Sequence, residues 1–280
     1  MKDKNTLYVT DLDGTLMRND KTLSGFTVST INSLIDQGML ITYATARSFQ
    51  SAFEITKDIK FRVPVITRNG TVLADQILKA ETEISYFSKK DVCQLKKLLT
   101  EVIDPTGFVT SYLDGKVTKA FRNAFRNAGH DPGLQKYIDE HVNDKRMQFL
   151  GAEEDIFAGN VSYVTLIADQ DMLQPIYDKI NGIDDWECVF YKDIYGDDYW
   201  LEICPKNATK AKAVLKTAQR LGCNRVVAFG DSVNDLTMFE IADEACAVEN
   251  GLPEVKAAAT KIIMSNEDDG VAKYLLEQWV

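Results

Sequence analysis

The stretch Leu7-Tyr8-Val9-Thr10-Asp11-Leu12-Asp13-Gly14-Thr15-Leu16 decides how the chain is read. Leu7, Tyr8 and Val9 form a short apolar run of the kind that makes a buried strand. The run breaks off in two carboxylates, Asp11 and Asp13, and turns at Gly14. In an open α/β sheet, ligands gather beyond the carboxyl ends of the strands, so acids at this point stand where chemistry is done. Two acids so close repel each other unless a cation offsets their charge. By itself, Asp-x-Asp-Gly suits an Asx-type turn between a strand and a helix equally well. The rest of the chain has to separate the two readings.

Composition narrows the classes. The 280 residues suffice for one large domain or two modest ones, and 45% are hydrophobic and 26% charged, as in ordinary globular proteins. No apolar run approaches the roughly 20 residues of a membrane-spanning helix. The start, Met1-Lys2-Asp3-Lys4-Asn5, leads straight into the first apolar run, so no signal peptide is expected. The five cysteines (Cys93, Cys188, Cys204, Cys223 and Cys246) are scattered and never in Cys-x-x-Cys spacing. This argues for free thiols acting as small core hydrophobes in a reducing, cytoplasmic compartment, and against disulfides or a zinc site. A net charge of −10 disfavours nucleic acid as a partner. A metal and one or two lysines can still reverse the sign locally for an anionic substrate. With only His130 and His141 available, a serine-hydrolase triad has few candidate bases.

Beyond the opening strand, Ser24 is expected to cap a helix through Val28, Ile31, Leu34 and Ile35 that closes at Gly38. A buried strand follows at Met39–Ala44 and ends at Thr45-Ala46-Arg47, and a helix starts near Ser48. A third strand, Val63–Ile66, stops at Arg68-Asn69-Gly70. This alternation predicts a parallel sheet covered on both faces. From about residue 83 the rhythm changes. Ser88 and Asp91 open a helix with apolar positions Val92, Leu95, Leu98, Leu99 and Val102. Asp114-Gly115 joins two strand-like runs, Phe108–Leu113 and Lys116–Phe121, and a polar helix is expected around Gly133–Lys145. An alternating strand from Val161, a helix near Asp171–Ile180 and a strand at Trp186–Tyr191 complete an α+β module. The first rhythm then resumes, with a strand at Tyr199–Cys204, a helix capped by Thr209 and closed by Gly222, and a strand Arg225–Phe229 that ends at Gly230-Asp231. Strands at Ala245–Val248 and Ile262–Met264, with helices from Pro253 and Gly270, finish the chain. The expected organisation is a core of residues 1–83 and 193–280, with an α+β domain of residues 84–192 inserted between them.

Four expected strand or helix ends carry related groups: Asp11 and Asp13, Thr45, Lys210, and Asp231 with Asn234 and Asp235. A doubly wound sheet can bring all of them to one crevice. Clustered carboxylates with room for water suit Mg²⁺, which takes one or two carboxylates plus phosphate oxygens. A lysine and a hydroxyl can hold the other oxygens of a phosphoryl group, and an aspartate can attack phosphorus and split a difficult hydrolysis into two displacements.

At this point the sequence resembles the haloacid dehalogenase (HAD) superfamily. Asp11-Leu-Asp-Gly-Thr15, Thr45-x-Arg47, the lysine after Glu202-Ile-Cys-Pro205 in Glu202–Lys210, and Gly230-Asp-Ser-Val-Asn-Asp235 look like its four motifs. The insertion, Arg68-Asn69-Gly70 and the closing Gly270-Val-Ala272 are similar to the Cof-type, sugar-phosphatase-like branch with a large α/β cap (class IIB). Ala46 and Ala211 stand where that family commonly has glycine.

The resemblance implies a Rossmann-like doubly wound core, an inserted α+β cap over the active site, and hydrolysis of small phosphomonoesters through an aspartyl phosphate. Asp11 becomes the nucleophile, and Asp13 the acid that protonates the leaving alcohol and later activates water. Magnesium would be held by Asp11, the Asp13 backbone carbonyl and Asp231. Thr45, Lys210 and Asn234 would contact phosphate, Arg47 and Asn69 would contact substrate or fix a loop, and Asp235 would orient a metal-bound water or Lys210. The implied partner is a small phosphorylated metabolite such as a hexose or pentose phosphate, pyridoxal phosphate or flavin mononucleotide. A phosphotransferase or phosphomutase on the same core is the nearest alternative, and a phosphoaspartate switch protein a more distant one. Gly196-Asp197-Asp198 and Glu267-Asp268-Asp269 read as solvated turns. His130 beside Asp131 reads as a loop residue, and Phe108, Tyr112, Phe121 and Phe125 as cap core.

Overall fold

The computed structural model describes residues 5–102, 109–113, 117–121, 143, 145–150, 156–193 and 196–279. The chain divides into two compact units, residues 1–83 with 208–280, and residues 84–207.

The first unit is built on five parallel strands, numbered in chain order: β1 (Thr6–Thr10), β2 (Leu40–Tyr43), β12 (Arg225–Gly230), β13 (Glu244–Val248) and β14 (Lys261–Ile263). Their spatial order is β14-β13-β12-β1-β2. β1 is buried along its whole length, and its side chains alternate between two apolar layers. Tyr8 joins the layer of Ile31, Leu34, Ile35 and Phe229, while Leu7 and Val9 join that of Val214, Ala218, Ala228 and Ala247. The Gly25–Asp36 helix covers the first face and the Lys210–Leu221 helix the second, which makes the sheet doubly wound as expected. From β1 the chain builds outward to β2 on one side, and later from β12 to β14 on the other. The order therefore reverses between β1 and β12, where such a sheet opens a crevice for ligands.

Local signals act at the expected places. The Ser24 hydroxyl accepts the Thr27 N–H (2.9 Å), Thr209 accepts that of Lys212 (3.2 Å), and Gly222 closes the Lys210–Leu221 helix at φ 70°. Other expectations need correction. The run ending at Ile66 extends the parallel sheet by a single bridge, Ala44 to Ile66. Instead, β3 (Val65–Thr67) pairs antiparallel with β4 (Val72–Asp75), in a three-stranded sheet completed by β5 (Ala80–Ile84). The tight left-handed turn at Arg68, Asn69 and Gly70 (φ 47°, 49° and 100°) folds the chain back at once, which leaves no length for a crossover. Neither acidic turn is simply solvated: Asp198 is buried, and Asp269 accepts hydrogen bonds from Ser24 (2.5 Å), Thr27 (3.0 Å) and Arg18 (3.1 Å). Of the five free cysteines, only Cys204 and Cys246 are buried, and Cys93 is exposed.

The second unit carries a six-stranded sheet of order β10-β11-β9-β6-β7-β8. Its strands are β6 (Val109–Leu113), β7 (Val117–Phe121), β8 (Met147–Leu150), β9 (Val161–Ala168), β10 (Trp186–Lys192) and β11 (Tyr199–Pro205). The β6–β7 pair is the expected hairpin. All described pairings are antiparallel except β7 with β8. Leu95 and Leu99 of the Lys89–Val102 helix, and Leu173, Ile176 and Ile180 of the Gln170–Ile180 helix, pack with Val164, Leu166, Leu201 and Ile203.

Tyr199–Cys204 was expected to return to the core, with a boundary at residue 192. It pairs instead with β9 and β10, and the unit runs to Asn207. The Asp193 N–H donates to the Asp198 carbonyl (2.8 Å) at the start of this β10–β11 hairpin, so local closure decides the strand's sheet. The helix expected around Gly133–Lys145 lies largely outside the described residues, as do Phe108, Phe125, His130 and the side chains of Tyr112 and Phe121. No described helix is long and apolar enough to cross a membrane.

A methyl group at Gly70 would overlap the backbone carbonyl of Thr209, and its φ of 100° excludes most L side chains, whereas one at Gly25 would meet nothing within 4 Å. Gly70→Ala should therefore cost about 2 kcal/mol or more in urea unfolding. Gly25→Ala should stay within about 1 kcal/mol of the native chain, on the stabilising side. Equal effects from the two substitutions would contradict this account of the turn.

Candidate active site

Asp11 is the first residue past β1, and its N–H donates to the Phe229 carbonyl of β12 (2.9 Å), so it is fixed at the junction where the strand order reverses. Its side chain is buried and accepts a 2.8 Å hydrogen bond from Lys210 Nζ. Lys210 begins the helix capped by Thr209, is itself buried, and reaches Asp235 Oδ1 at 2.8 Å as well. The other oxygen of Asp235 accepts the N–H groups of Asp231 (3.0 Å) and Ser232 (3.2 Å). Asp231 follows β12 and accepts a hydrogen bond from Thr15 Oγ1 (2.8 Å). Oxygens of Asp11, Asp231 and Asp235 all lie within 4.8 Å of one another. Gly14, at φ 71°, lets the opening loop pass Asp231 where a Cβ would overlap its carboxylate.

This crowding sets the electrostatics. Burial pushes the Asp11 carboxyl well above the usual carboxylate range. Lys210 opposes the shift, and the charges of Asp235, Asp231 and Asp13 add to it. Burial also raises Asp231, to about 7, with the charge of Asp235 adding and Thr15 and Lys210 opposing. For Lys210, burial disfavours the ammonium, but Asp11 and Asp235 outweigh it and hold the proton more tightly than usual.

The other expected residues occupy distinct positions. The Ala44 N–H donates to the Thr10 carbonyl (2.9 Å), which sets Thr45 beside the end of β1. Thr45 is fully buried; its hydroxyl accepts the Arg47 N–H (3.2 Å) and its carbonyl accepts the Asn69 N–H (2.9 Å). Asn69 thus touches this loop through its backbone. Arg47, expected to contact substrate or fix a loop, places its guanidinium on Asp13, with Nε at 2.7 Å from Oδ2 and Nη2 at 2.6 Å from Oδ1. Asn234 stands on the single turn Val233–Asp235, and its amide oxygen has no hydrogen-bond partner among the described residues.

Three contributors escaped sequence reasoning: Thr15, which binds Asp231; Ser51, which accepts from Arg47 Nη1 (3.0 Å); and Asn250, whose Nδ2 donates to the Gly14 carbonyl (2.7 Å). Thr15 lies inside the opening motif and could have been found there, whereas Asn250 carries no local signal.

The family model of haloacid dehalogenase-like hydrolases matches residues 8–275. The chain belongs to that family. It is an enzyme of the hydrolase class, and relatives along its whole length carry phosphatase names. The 5-amino-6-(5-phospho-D-ribitylamino)uracil phosphatase YitU of Bacillus subtilis is 29% identical, with 99% of this chain and 98% of that protein covered. An HMP-PP phosphatase of Yersinia pseudotuberculosis is 26% identical, with 95% and 92% covered. Among solved structures, a haloacid dehalogenase-like hydrolase from B. subtilis superposes with a TM-score of 0.78 at 19% identity, covering 96% of this chain and 98% of that one. The subclass IIB sugar phosphatase BT4131 gives 0.74 at 17% identity, covering 97% and 98%.

The raised Asp231 carries a pH signature. Its folded-state pKa of about 7 lies above the ordinary carboxylate value, so the folded chain binds the proton more tightly than the unfolded chain. In chelator-treated protein, the stability tied to this proton is full below about pH 4 and is lost as pH rises through about 7. Asp231→Asn should remove the effect, so its melting temperature relative to the native chain should rise between pH 4 and 8. A difference that stays flat across that range would show that Asp231 does not titrate as described.

Proposed function

We propose that this enzyme is a Mg²⁺-dependent phosphatase of small phosphomonoesters that works through an aspartyl phosphate on Asp11. The supporting observation is the buried Asp11 carboxylate at the reversal of strand order, held by Lys210 and adjoining the oxygens of Asp231 and Asp235. Asp11, Asp231 and Asp235 face one ammonium, and the first two are pushed toward their neutral forms, so the set fits a further cation. Its donors are hard oxygens, which suits magnesium. Asp235 already accepts on both oxygens, which leaves Asp11 and Asp231 as the fitting carboxylate ligands and Asp235 the residue that orients them; the family resemblance adds the Asp13 backbone carbonyl. Bound Mg²⁺ would neutralise charge on the phosphoryl oxygens.

The chain's own groups divide the remaining work. Lys210 Nζ and the Thr45 hydroxyl hold non-bridging oxygens of the phosphoryl group, and the Asn234 amide adds a further contact. An Asp11 oxygen attacks phosphorus as the ester P–O bond breaks, and Asp13 gives its proton to the leaving oxygen. Asp13 then takes a proton from water, whose oxygen displaces Asp11 and releases inorganic phosphate. The ribitylaminouracil phosphate and HMP-PP in the names of YitU and the Yersinia enzyme support a small phosphorylated metabolite as substrate. The net charge of −10 argues against nucleic acid, and the free thiols fit a cytoplasmic setting.

Phosphate release from 4-nitrophenyl phosphate, followed with Mg²⁺ and with chelator, tests the reading. Release should require the metal, and Asp11→Asn should lower kcat by about 10³-fold or more. Metal-independent release, or a native rate from Asp11→Asn, would refute it. Phosphate transferred to added sugars in preference to water would redirect the assignment to a phosphotransferase.

A further inference from the structure

We infer that Arg47 is a positioning residue for Asp13, aligning its carboxylate for proton transfer, and not a ligand of the substrate phosphate. The inference rests on the proposed role of Asp13 as proton donor and acceptor. Both oxygens of Asp13 are engaged by one guanidinium, at 2.7 Å from Nε and 2.6 Å from Nη2, and both side chains are partly buried. Two parallel N–H···O bonds fix the plane of a carboxylate as well as its distance, which a single contact cannot do. The fork that a phosphate would need is therefore filled by Asp13.

Arg47 is itself held from three sides. Its remaining terminal nitrogen, Nη1, donates to Ser51 Oγ (3.0 Å) on the Phe49–Thr56 helix. Its N–H donates to Thr45 Oγ1 (3.2 Å), and its carbonyl accepts the Arg68 N–H (3.0 Å). The Arg68–Gly70 turn that supplies this last bond has positive φ at all three residues, a conformation the surrounding structure must enforce. Proton transfer depends steeply on the donor's reach and direction, and Asp13 lies in an irregular loop next to Gly14 at φ 71°. The Arg47 clamp supplies the alignment that this loop lacks.

The test uses the leaving group. 4-Nitrophenyl and phenyl phosphate have closely similar shapes, but only the poorer leaving group, phenoxide, depends strongly on a proton from Asp13. In the Mg²⁺-loaded full chain, Arg47→Ala should lower kcat/KM for phenyl phosphate roughly 10-fold more than for 4-nitrophenyl phosphate. Arg47→Lys should not rescue it, because lysine keeps the charge and loses the fork. Ser51→Ala, which frees the guanidinium from behind, should show a smaller loss with the same leaving-group bias. Asp13→Ala should show the bias in full, and adding Arg47→Ala to it should cost little more.

Equal losses on both substrates, carried by KM and restored by Arg47→Lys, would make Arg47 a phosphate ligand and overturn the inference. If Asp13→Ala shows the bias and neither Arg47 variant nor Ser51→Ala does, the inference fails while the phosphatase reading stands. If Asp13→Ala shows no bias, the proton-transfer role fails first and the inference falls with it.

Discussion

The ammonium of Lys210, buried between Asp11 and Asp235, is the contact on which the first unit depends. It joins residues 199 positions apart, one just past the first strand and the other on the first turn of a late helix. An isolated charge at such depth costs several kcal/mol, and only paired, hydrogen-bonded partners make it tolerable. Lys210 therefore stays inside only if both segments of the unit are in place. The 84–207 insertion can be long without undoing this, because the entropy of closing a loop grows slowly with its length, and β1 pairs with β12 along five registered positions. The same ammonium offsets repulsion among carboxylates that would otherwise keep the strand ends apart.

How Lys210 reaches that point depends on a turn with no chemistry of its own. Gly70 lies against the carbonyl of Thr209, so the Arg68–Gly70 turn seats the start of the Lys210–Leu221 helix. The same turn donates backbone N–H groups to the carbonyls of Thr45 and Arg47. One strained loop thus sets the lysine that faces Asp11 and the arginine that faces Asp13. Strain of this kind persists only where the neighbourhood over-determines it, and here three separate contacts do so.

The parts legible in the sequence were those with local or repeated causes. Ser24, Thr209 and Gly222 act where their capping chemistry places them, because a cap involves only the adjacent turn. The doubly wound core was readable from its continuous apolar strands, and the clustering of Asp11, Lys210, Asp231 and Asp235 followed once those strands were assigned to one sheet. The expected strand Tyr199–Cys204 is the exception, because an apolar strand reads alike in either unit and only its hairpin with β10 decides which sheet it joins. The β4–β5 pairing is not legible because β5, Ala-Glu-Thr-Glu-Ile, has no apolar run and no fully buried residue. The partner of Arg47 was unreadable for a different reason. A guanidinium suits a carboxylate and a phosphate equally, and the choice is made by a loop whose path depends on Gly14 and Asn250.

Asp235 shows why the two halves of the site cannot be set independently. One oxygen receives Lys210, on the side of Asp11; the other receives the backbone N–H groups of Asp231 and Ser232. A displacement of Lys210 would pull on the carboxylate that fixes the Asp231 backbone, and a shift of Asp231 would disturb the bond from Thr15. Gly230 tightens the linkage, since a Cβ there would overlap the Asp235 side chain. Because interiors are close-packed and side chains occupy discrete wells, such a unit has few intermediate arrangements. The Asp11 side and the Asp231 side are therefore held in register by one fully buried carboxylate, that of Asp235.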